Sequence, residues 1–218
     1  MLVKRENQIL DIVKKLQGID VEFIVVGGYA VSGLAKHRFS VDCDVVISKT
    51  GLKKVIELLE AEGFKEKTRK SGFDKFYGGE FINFVKIENK LPVTIDLLVN
   101  GLTSRTTDAT WSFQYILNNS RQTNIIGLEK SLTCKTPTKE LLLAMKIHSG
   151  RVTDVRDITV LLDNSEKIKC LEHTKRGDME KLKKQINHIL KILSDKNLVD
   201  SLKSVFTIQT SVEKETET

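Results

Sequence analysis

The chain contains 218 residues, of which 40% are hydrophobic and 29% are charged, and its formal net charge is +6. This composition is that of an ordinary globular protein, and no apolar run approaches the roughly 20 residues that a membrane-spanning helix needs. The N-terminal stretch turns polar too early for a signal peptide, so we expect a cytoplasmic protein without membrane contact. The number and spacing of the three cysteines, Cys43, Cys134 and Cys170, exclude a disulfide framework and a zinc site.

The first hundred residues predict alternating helices and strands. Apolar side chains recur at helical spacing over 4–17, 29–36 and 50–62. Short apolar or alternating runs predict strands over 21–26, 41–48, 80–87 and 92–99. The basic run 65–75 is predicted as a solvated loop, with the alternative that it follows an RNA backbone. This order favours an α+β fold in which a small mixed β-sheet is flanked by helices.

The second half of the chain is predicted to be mainly helical. Helices are expected over 108–118, 137–150, 153–163 and 176–204. The stretch 121–134 is expected to form a hairpin or short strands around Gly127. We therefore divide the chain into a first domain, 1–104, a mainly helical C-terminal region, 105–206, and a polar flexible tail, 207–218.

Two carboxylates in the predicted second strand indicate a cation site. Asp42 and Asp44 are two residues apart, so both point to the same face of the strand, and we expect Val41, Cys43 and Val45 to point into the core. Two like charges held side by side repel each other unless a cation lies between them. Mg²⁺ prefers oxygen ligands and is held by one or two carboxylates together with substrate phosphates.

Two further features stand near these carboxylates. Gly27 and Gly28 lie between a strand and a helix, where glycines let backbone N–H groups approach a phosphate at the positive end of a helix. Asp96 is isolated among apolar residues of another strand, and burying it there is costly unless it is paired or bound to a metal. Three carboxylates beside a glycine turn outline a two-metal site for phosphoryl transfer.

The order of these motifs resembles a known family. A strand, Gly-Gly, thirteen residues and Asp-apolar-Asp-apolar are similar to the signature of the DNA polymerase β-type nucleotidyltransferase superfamily, with Asp96 as its third carboxylate. The later residues Lys146, Arg151, Asp154 and Asp157 resemble the helical segment of AbiEii-like minimal nucleotidyltransferases, several of which are toxins of toxin–antitoxin systems. The resemblance spans residues 20–163 and implies a nucleotidyltransferase fold with its catalytic domain in residues 1–104.

The resemblance also implies roles for individual residues. Asp42, Asp44 and Asp96 would hold two Mg²⁺ ions, with Mn²⁺ as an alternative, and Asp96 would help to deprotonate the attacking hydroxyl. The nucleotide-binding residues would be Gly27, Gly28, Ser32, Arg38 and Lys146. Ser32 would replace the serine that many members have at the second glycine, Arg38 would brace a carboxylate or contact phosphate, and Lys146 would reach the triphosphate.

These roles predict an enzyme that moves a nucleoside monophosphate from an NTP such as ATP to an acceptor hydroxyl. The basic balance and the toxin-like segment favour tRNA or another RNA as the acceptor. A protein side chain of a cognate toxin or antitoxin partner and a small antibiotic are the alternative acceptors. An inactive binding partner of a toxin–antitoxin pair is a further alternative. A plain nucleic-acid-binding protein is disfavoured, because the sequence reveals no basic helix or aromatic platform.

Overall fold

The computed structural model describes residues 2–88 and 90–206. Its helices are α1 Leu2–Gln17, α2 Gly27–Leu34, α3 Leu52–Ala61, α4 Phe113–Asn118, α5 Lys139–Ser149, α6 Val152–Leu161, α7 Lys167–Thr174, α8 Met179–Leu193 and α9 Lys196–Lys203. Its strands are β1 Phe23–Val25, β2 Asp42–Ile47, β3 Lys65–Lys70, β4 Glu80–Glu88, β5 Leu91–Val99, β6 Gly101–Thr103, β7 Thr110–Ser112, β8 Ser120–Ile126 and β9 Ser131–Pro137. The predicted flexible tail, 207–218, lies outside the described residues.

The central sheet has the strand order β1-β2-β5-β4-β3. Strands β2 and β5 pair in parallel, whereas the other neighbours pair antiparallel, so the sheet is mixed. A sheet of this kind, flanked by helices and followed by a mainly helical region, confirms the predicted α+β class. Among the described helices, none combines the length and the hydropathy that crossing a bilayer requires.

The two faces of this sheet differ in how they are covered. One face packs against α1 and α3, and its alternate residues, such as Val45, Ile95 and Phe84, are fully buried. On the other face, the β1–β2 side is covered by a second cluster of buried residues: Ile24, Val26 and Val46 pack with Trp111, Ile116, Leu141 and Met145. Further along this face, Phe81 and Asn83 of β4 keep part of their surface in solvent. The second face is therefore half covered, and its open half runs toward β3.

The basic run departs from the prediction of a loop, because Lys65–Lys70 forms the edge strand β3, which pairs with β4. Its side chains are exposed except for Thr68, which is half-buried. An edge strand with both faces in contact with water carries no apolar alternation, so the pattern used to predict strands is missing here.

The predicted helices of the second half are shorter than expected. Residues 110–112 pair with β6 as strand β7, in which Trp111 is buried. Helix α4 begins only after Ser112, whose hydroxyl accepts a hydrogen bond from the Tyr115 N–H. The predicted helix 176–204 is divided where Asp195 caps α9 by accepting from the Leu198 N–H at 3.1 Å. Helix α7 was not predicted.

The predicted hairpin around Gly127 is confirmed as β8 and β9. Its residues Ile125 and Cys134 are buried in the same cluster as α1 and the first face of the central sheet. Although the hairpin follows residue 104, it packs with the elements that precede that residue. The domain division itself stays a prediction.

Candidate active site

Three carboxylates lie on the half-covered face of the central sheet. Asp44 of β2 is paired in register with Asp96 of the parallel strand β5. Asp42 lies two residues before Asp44 in β2, which is one full repeat of a strand. Residues in register on parallel strands share a face, so all three side chains point the same way. Each of them is half-buried. They therefore line the border between the part of the face that is covered and the part that is open.

The apolar neighbours of these carboxylates are buried with one exception. Cys43 and Val45 are fully buried on the opposite face, as expected. Val41 is 51% exposed, so the prediction that it points into the core is wrong. It precedes the first residue of β2, and the strand's alternation does not extend to it.

The carboxylates perturb one another's protonation. Burial raises the pKa of Asp44 to about 7, and the negative charges of Asp42 and Asp96 contribute to the shift. Burial also raises the pKa of Asp96, while the hydrogen bond from Asn83 opposes that change. The positive charges of Lys146 and Arg151 act on Asp44 in the opposite sense but do not cancel the effect. A cation at this place would remove the repulsion that the carboxylates share.

Two residues that the sequence analysis did not single out, Ser40 and Asn83, orient the carboxylates of Asp42 and Asp96. The Ser40 hydroxyl donates to Asp42 Oδ1 at 2.8 Å, and the Asn83 amide donates to Asp96 Oδ1 at 2.6 Å. Asn83 is paired in register with Asp96, and a polar residue between the buried Ile82 and Phe84 is the signal that could have revealed it.

The two glycines make room for charged side chains at the start of α2. Gly27 has a φ of +63°, and a Cβ atom on it would lie 1.9 Å from Asp44 Oδ2. A Cβ atom on Gly28 would lie 2.9 Å from Arg38 Nη2 and 2.8 Å from the Ser40 hydroxyl. The glycine turn thus lets a carboxylate approach on one side and a guanidinium group on the other.

Ser32 and Arg38 are both buried. The Ser32 hydroxyl lies 3.3 Å from the carbonyl oxygens of Gly28 and Arg38. It therefore hydrogen-bonds to the backbone of α2 and of the loop before β2. Arg38 donates from Nε and Nη2 to the two oxygens of Asp157 at 2.8 and 2.9 Å. Arg38 thus braces the carboxylate of Asp157, and its predicted role in nucleotide binding stays a prediction. Phosphate contacts of Ser32 and Arg38 stay predictions.

Lys146 lies in the same buried network. Its Nζ atom is 2.9 Å from Asp154 Oδ1 and 2.8 Å from Asp157 Oδ2, and the lysine is 7% exposed. Burial tends to raise the pKa of Asp154, but the hydrogen bond from Arg151 and the charge of Lys146 outweigh it and hold that pKa below its ordinary value. The ammonium group of Lys146 is therefore bound by protein carboxylates, and its predicted contact with a triphosphate stays a prediction.

Arg151 is the exposed member of this network. Its Nε donates to Asp154 Oδ2 at 2.7 Å, while 72% of its side chain is in solvent. The hydrogen bond with Asp154 is the main cause that raises the pKa of Arg151, and the charges of Asp44 and Asp42 add to it. A cation that is held on one side and faces carboxylates on the other is suited to receive a phosphate group.

A cavity of about 420 Å³ joins these parts. Gly27, Asp44, Lys146 and Arg151 are among the residues that line it. Its walls are largely apolar and come from the sheet, from the loop between β3 and β4, from β6 and from α5: Phe73, Phe81, Leu98, Leu102, Leu142 and Met145. Asp42 and Asp96 lie outside this lining, on the same face of the sheet as Asp44. The cavity has the size and the mixed lining of a small-molecule site.

The donor set fits a divalent cation that is shared with a phosphate ligand. Within residues 2–88 and 90–206, no group of three or more His, Cys, Asp or Glu side chains is arranged so that it could hold a metal ion, and the predicted metal set of Asp42, Asp44 and Asp96 stays a prediction. The three carboxylates instead face separate partners, namely Ser40, Asn83 and the Gly27 turn. Mg²⁺ needs only one or two carboxylates when substrate phosphates and water complete its shell, so Asp42 and Asp44 suit it chemically.

No protein-family model and no curated protein sequence matches the chain. Among solved structures, the lincosamide antibiotic adenylyltransferase LnuA with bound lincomycin is 21% identical, with a TM-score of 0.47, over 74% of this chain and 97% of that one. A putative nucleotidyltransferase of Thermotoga maritima, TM1012, is 12% identical, with a TM-score of 0.45, over 74% of this chain and 94% of that one. ANT(2'')-Ia in complex with adenylyl-2''-tobramycin is 12% identical, with a TM-score of 0.43, over 92% of this chain and 95% of that one.

Proposed function

We propose that the protein is a Mg²⁺-dependent nucleotidyltransferase that transfers a nucleoside monophosphate from an NTP to an acceptor hydroxyl. The observation that carries this proposal is the placement of Asp42, Asp44 and Asp96 on one face of the sheet, beside the Gly27 turn. The charge of Arg151, which also lines the cavity, interacts with the charges of Asp44 and Asp42. Carboxylates that need a cation, together with a guanidinium group that can bind phosphate, are the parts that phosphoryl transfer requires.

The reaction assigns a role to each carboxylate. Asp42 and Asp44 hold the divalent cation, and bound Mg²⁺ or Mn²⁺ would neutralise phosphate charge and lower the pKa of the attacking hydroxyl. Asp96 accepts the hydroxyl proton, a role that suits a carboxylate whose pKa is raised by burial. The acceptor oxygen forms a bond to the α-phosphorus, the bond between that phosphorus and the β-phosphate oxygen breaks, and pyrophosphate leaves.

The two cations of the helical region, Arg151 and Lys146, have different roles, one toward the phosphates and one toward the buried carboxylates. Arg151 is free to turn from Asp154 toward the β- and γ-phosphates, because most of its side chain is exposed. Lys146 remains between Asp154 and Asp157, where its charge lowers the pKa of both carboxylates. Arg38 positions Asp157 and thereby fixes α6 relative to the glycine turn.

RNA is the acceptor that the charges favour. The net charge is +6, and two acidic side chains of the cavity are neutralised by protein cations: Glu80 by Lys49 and Arg69, and Asp154 by Lys146 and Arg151. Among the described acidic side chains that line the cavity, this leaves Asp44 without an ion-pair partner from the protein. A bound divalent cation would remove its repulsion of a polyanion, so the charges favour a polyanionic acceptor over a polycationic one. The toxin-like helical segment supports the same choice, and a cognate toxin or antitoxin partner stays a prediction.

A small, uncharged hydroxyl compound is the second candidate acceptor. The cavity of about 420 Å³ lies within the usual range for ligand pockets, and its largely apolar wall suits such a molecule. RNA needs an additional surface outside the cavity, while a small acceptor does not.

Incubation with α-labelled NTPs, Mg²⁺ and total tRNA tests the proposal. We expect label on RNA with the wild type and none with Asp42→Asn/Asp44→Asn. The matched control, Asp163→Asn/Asp200→Asn, removes two exposed carboxylates that do not line the cavity and should keep full activity. Label on a protein or on a small hydroxyl compound would replace RNA as the acceptor, and transfer by the Asp42/Asp44 variant would refute the assigned site.

A further inference from the structure

We propose that single-stranded RNA binds to the edge of the sheet beside the cavity, through Lys65, Lys70, Lys75, Phe76 and Tyr77, here called the β3 surface. This inference rests on the proposed function only in its choice of RNA as the partner. The surface consists of strand β3 and the loop 71–79 that joins it to β4. All five side chains are exposed.

Lys65 and Lys70 of β3 lie on the same face of the sheet as the carboxylates. Lys70 and Lys65 are paired with Phe81 and Val85 of the antiparallel neighbour β4, and paired residues of this kind share a face. Phe81 lines the cavity, which places the Lys70 side of the strand on the half-open face. In the part of the chain that the structure describes, Lys65, Lys70 and Lys75 form no ion pair, so their charges are available to phosphates.

The loop 71–79 presents an aromatic pair in a fixed conformation. Phe76 is 74% and Tyr77 is 40% exposed, although large apolar side chains in water are unfavourable. The buried carboxylate of Asp74 accepts hydrogen bonds from the N–H groups of Phe76, Tyr77 and Gly79 at 2.9, 3.2 and 3.2 Å. An exposed ring on a loop that is already ordered can stack on a nucleotide base at little entropic cost.

The β3 surface is continuous with the candidate active site. Phe73 of the same loop and Phe81 of β4 line the cavity together with Asp44. Strand β3 lies two strands away from the Asp96 strand, which is about 10 Å at ordinary strand spacing. About three stacked nucleotides span that distance. An RNA end whose hydroxyl is at Asp96 would therefore place its preceding phosphates near the lysines.

Edge lysines have another known use, because they discourage pairing with a strand of a second chain. That use explains Lys65 and Lys70 but not Phe76. An exposed aromatic ring beside an unpaired edge favours association instead of preventing it. The combination of unpaired cations with a fixed, exposed ring is the arrangement that single-stranded nucleic acid binding requires.

Fluorescence anisotropy with a labelled single-stranded RNA 12-mer tests the surface without NTP or metal. We expect Lys65→Gln/Lys70→Gln/Lys75→Gln to weaken binding about 10-fold or more, and to reduce the slope of log affinity against log salt by about 2 for three lost phosphate contacts. Phe76→Ala should weaken binding about 10-fold without changing the salt slope, and Phe76→Trp should restore it.

Matched control variants distinguish an effect of where the positive charges lie from an effect of how many there are. Lys183→Gln/Lys184→Gln/Lys191→Gln on α8 removes the same charge from exposed positions, and Ile168→Ala removes an equally exposed apolar side chain. Equal losses with the β3 and α8 triple variants, or unchanged affinity with the β3 triple variant, would overturn the proposal. Tighter binding of the matching DNA strand would overturn RNA as the partner. A wild-type protein that binds RNA through this surface but transfers no nucleotide would refute the proposed function and leave the surface standing.

Discussion

Arg38 and Asp157 are 119 residues apart in the chain and form a buried two-point ion pair between the loop before β2 and helix α6. Lys146 contacts the same carboxylate from α5. Because both oxygens of Asp157 are occupied by cations from different elements, one side chain joins the glycine-turn region to the helical region. The precision of the candidate site depends on this junction.

Asp157→Asn should lower the free energy of unfolding by about 3 kcal/mol, because it removes the carboxylate that pairs with the buried Arg38 and one of the two that pair with Lys146. Urea unfolding followed by circular dichroism measures the change. Glu166→Gln breaks an exposed ion pair with Lys169 and serves as the control, with no measurable loss expected. Equal stability of Asp157→Asn and wild type would show that the junction does not contribute.

Gly27→Ala should abolish NTP binding, because its Cβ atom would displace the Asp44 carboxylate. The matched control is Gly78→Ala, since Gly78 has nearly the same backbone angle, φ +61°, but open space where the Cβ atom would lie. Both variants carry the cost of about 1–2 kcal/mol for an alanine in the left-handed region. Calorimetric titration with NTP and Mg²⁺ should detect binding to the control alone, and similar affinities would contradict the close approach of Asp44.

The raised pKa of Asp44 predicts a specific dependence of stability on pH. Its folded pKa, about 7, lies above the ordinary value of 3.8, so the folded protein retains a proton that the unfolded chain releases. Stability is therefore lost as pH rises from about 4 to about 7 in metal-free protein. Asp44→Asn should melt at a higher temperature than the wild type at pH 8 with a chelator, and the difference should shrink toward pH 4.

The same melting experiment distinguishes a metal ligand from a merely buried acid. With Mg²⁺ and NTP at pH 8, the wild type should gain thermal stability and Asp44→Asn should not. Asp163→Asn, which changes an exposed carboxylate, should follow the wild type under both conditions. An equal gain in Asp44→Asn and wild type would remove Asp44 from the cation site.

Arg151→Ala should weaken NTP binding about 10-fold and lower the unfolding midpoint only slightly, because Asp154 keeps its contacts with Lys146 and Ser149. Lys146→Met should instead destabilise the fold, since it leaves Asp154 and Asp157 without a shared cation. Arg121→Ala, an exposed arginine of β8, is the control for loss of charge. Titration with a non-hydrolysable NTP analogue measures the affinities, and normal binding by Arg151→Ala would assign the triphosphate to another cation.

The sequence predicted the parts of this site that depend on local periodicity. Asp42 and Asp44 share a face because a strand repeats every two residues, and Asp96 interrupts an otherwise apolar run. The partner of Arg38 lies 119 residues later, and no spacing rule relates the two residues. Strand β3 was missed because charged side chains on both of its faces remove the alternation, and the division between α8 and α9 depends on a single capping residue, Asp195.

The chain contains one tryptophan, Trp111, and it is fully buried where β7 meets the face of the sheet that α5 covers. Its ring stands edge-on to His148 of α5 at a centroid distance of 5.2 Å. Intrinsic fluorescence therefore originates from a single position beneath the helical cover. A red shift in emission would signal that α5 has separated from the sheet, which provides a label-free optical test of folding for each variant.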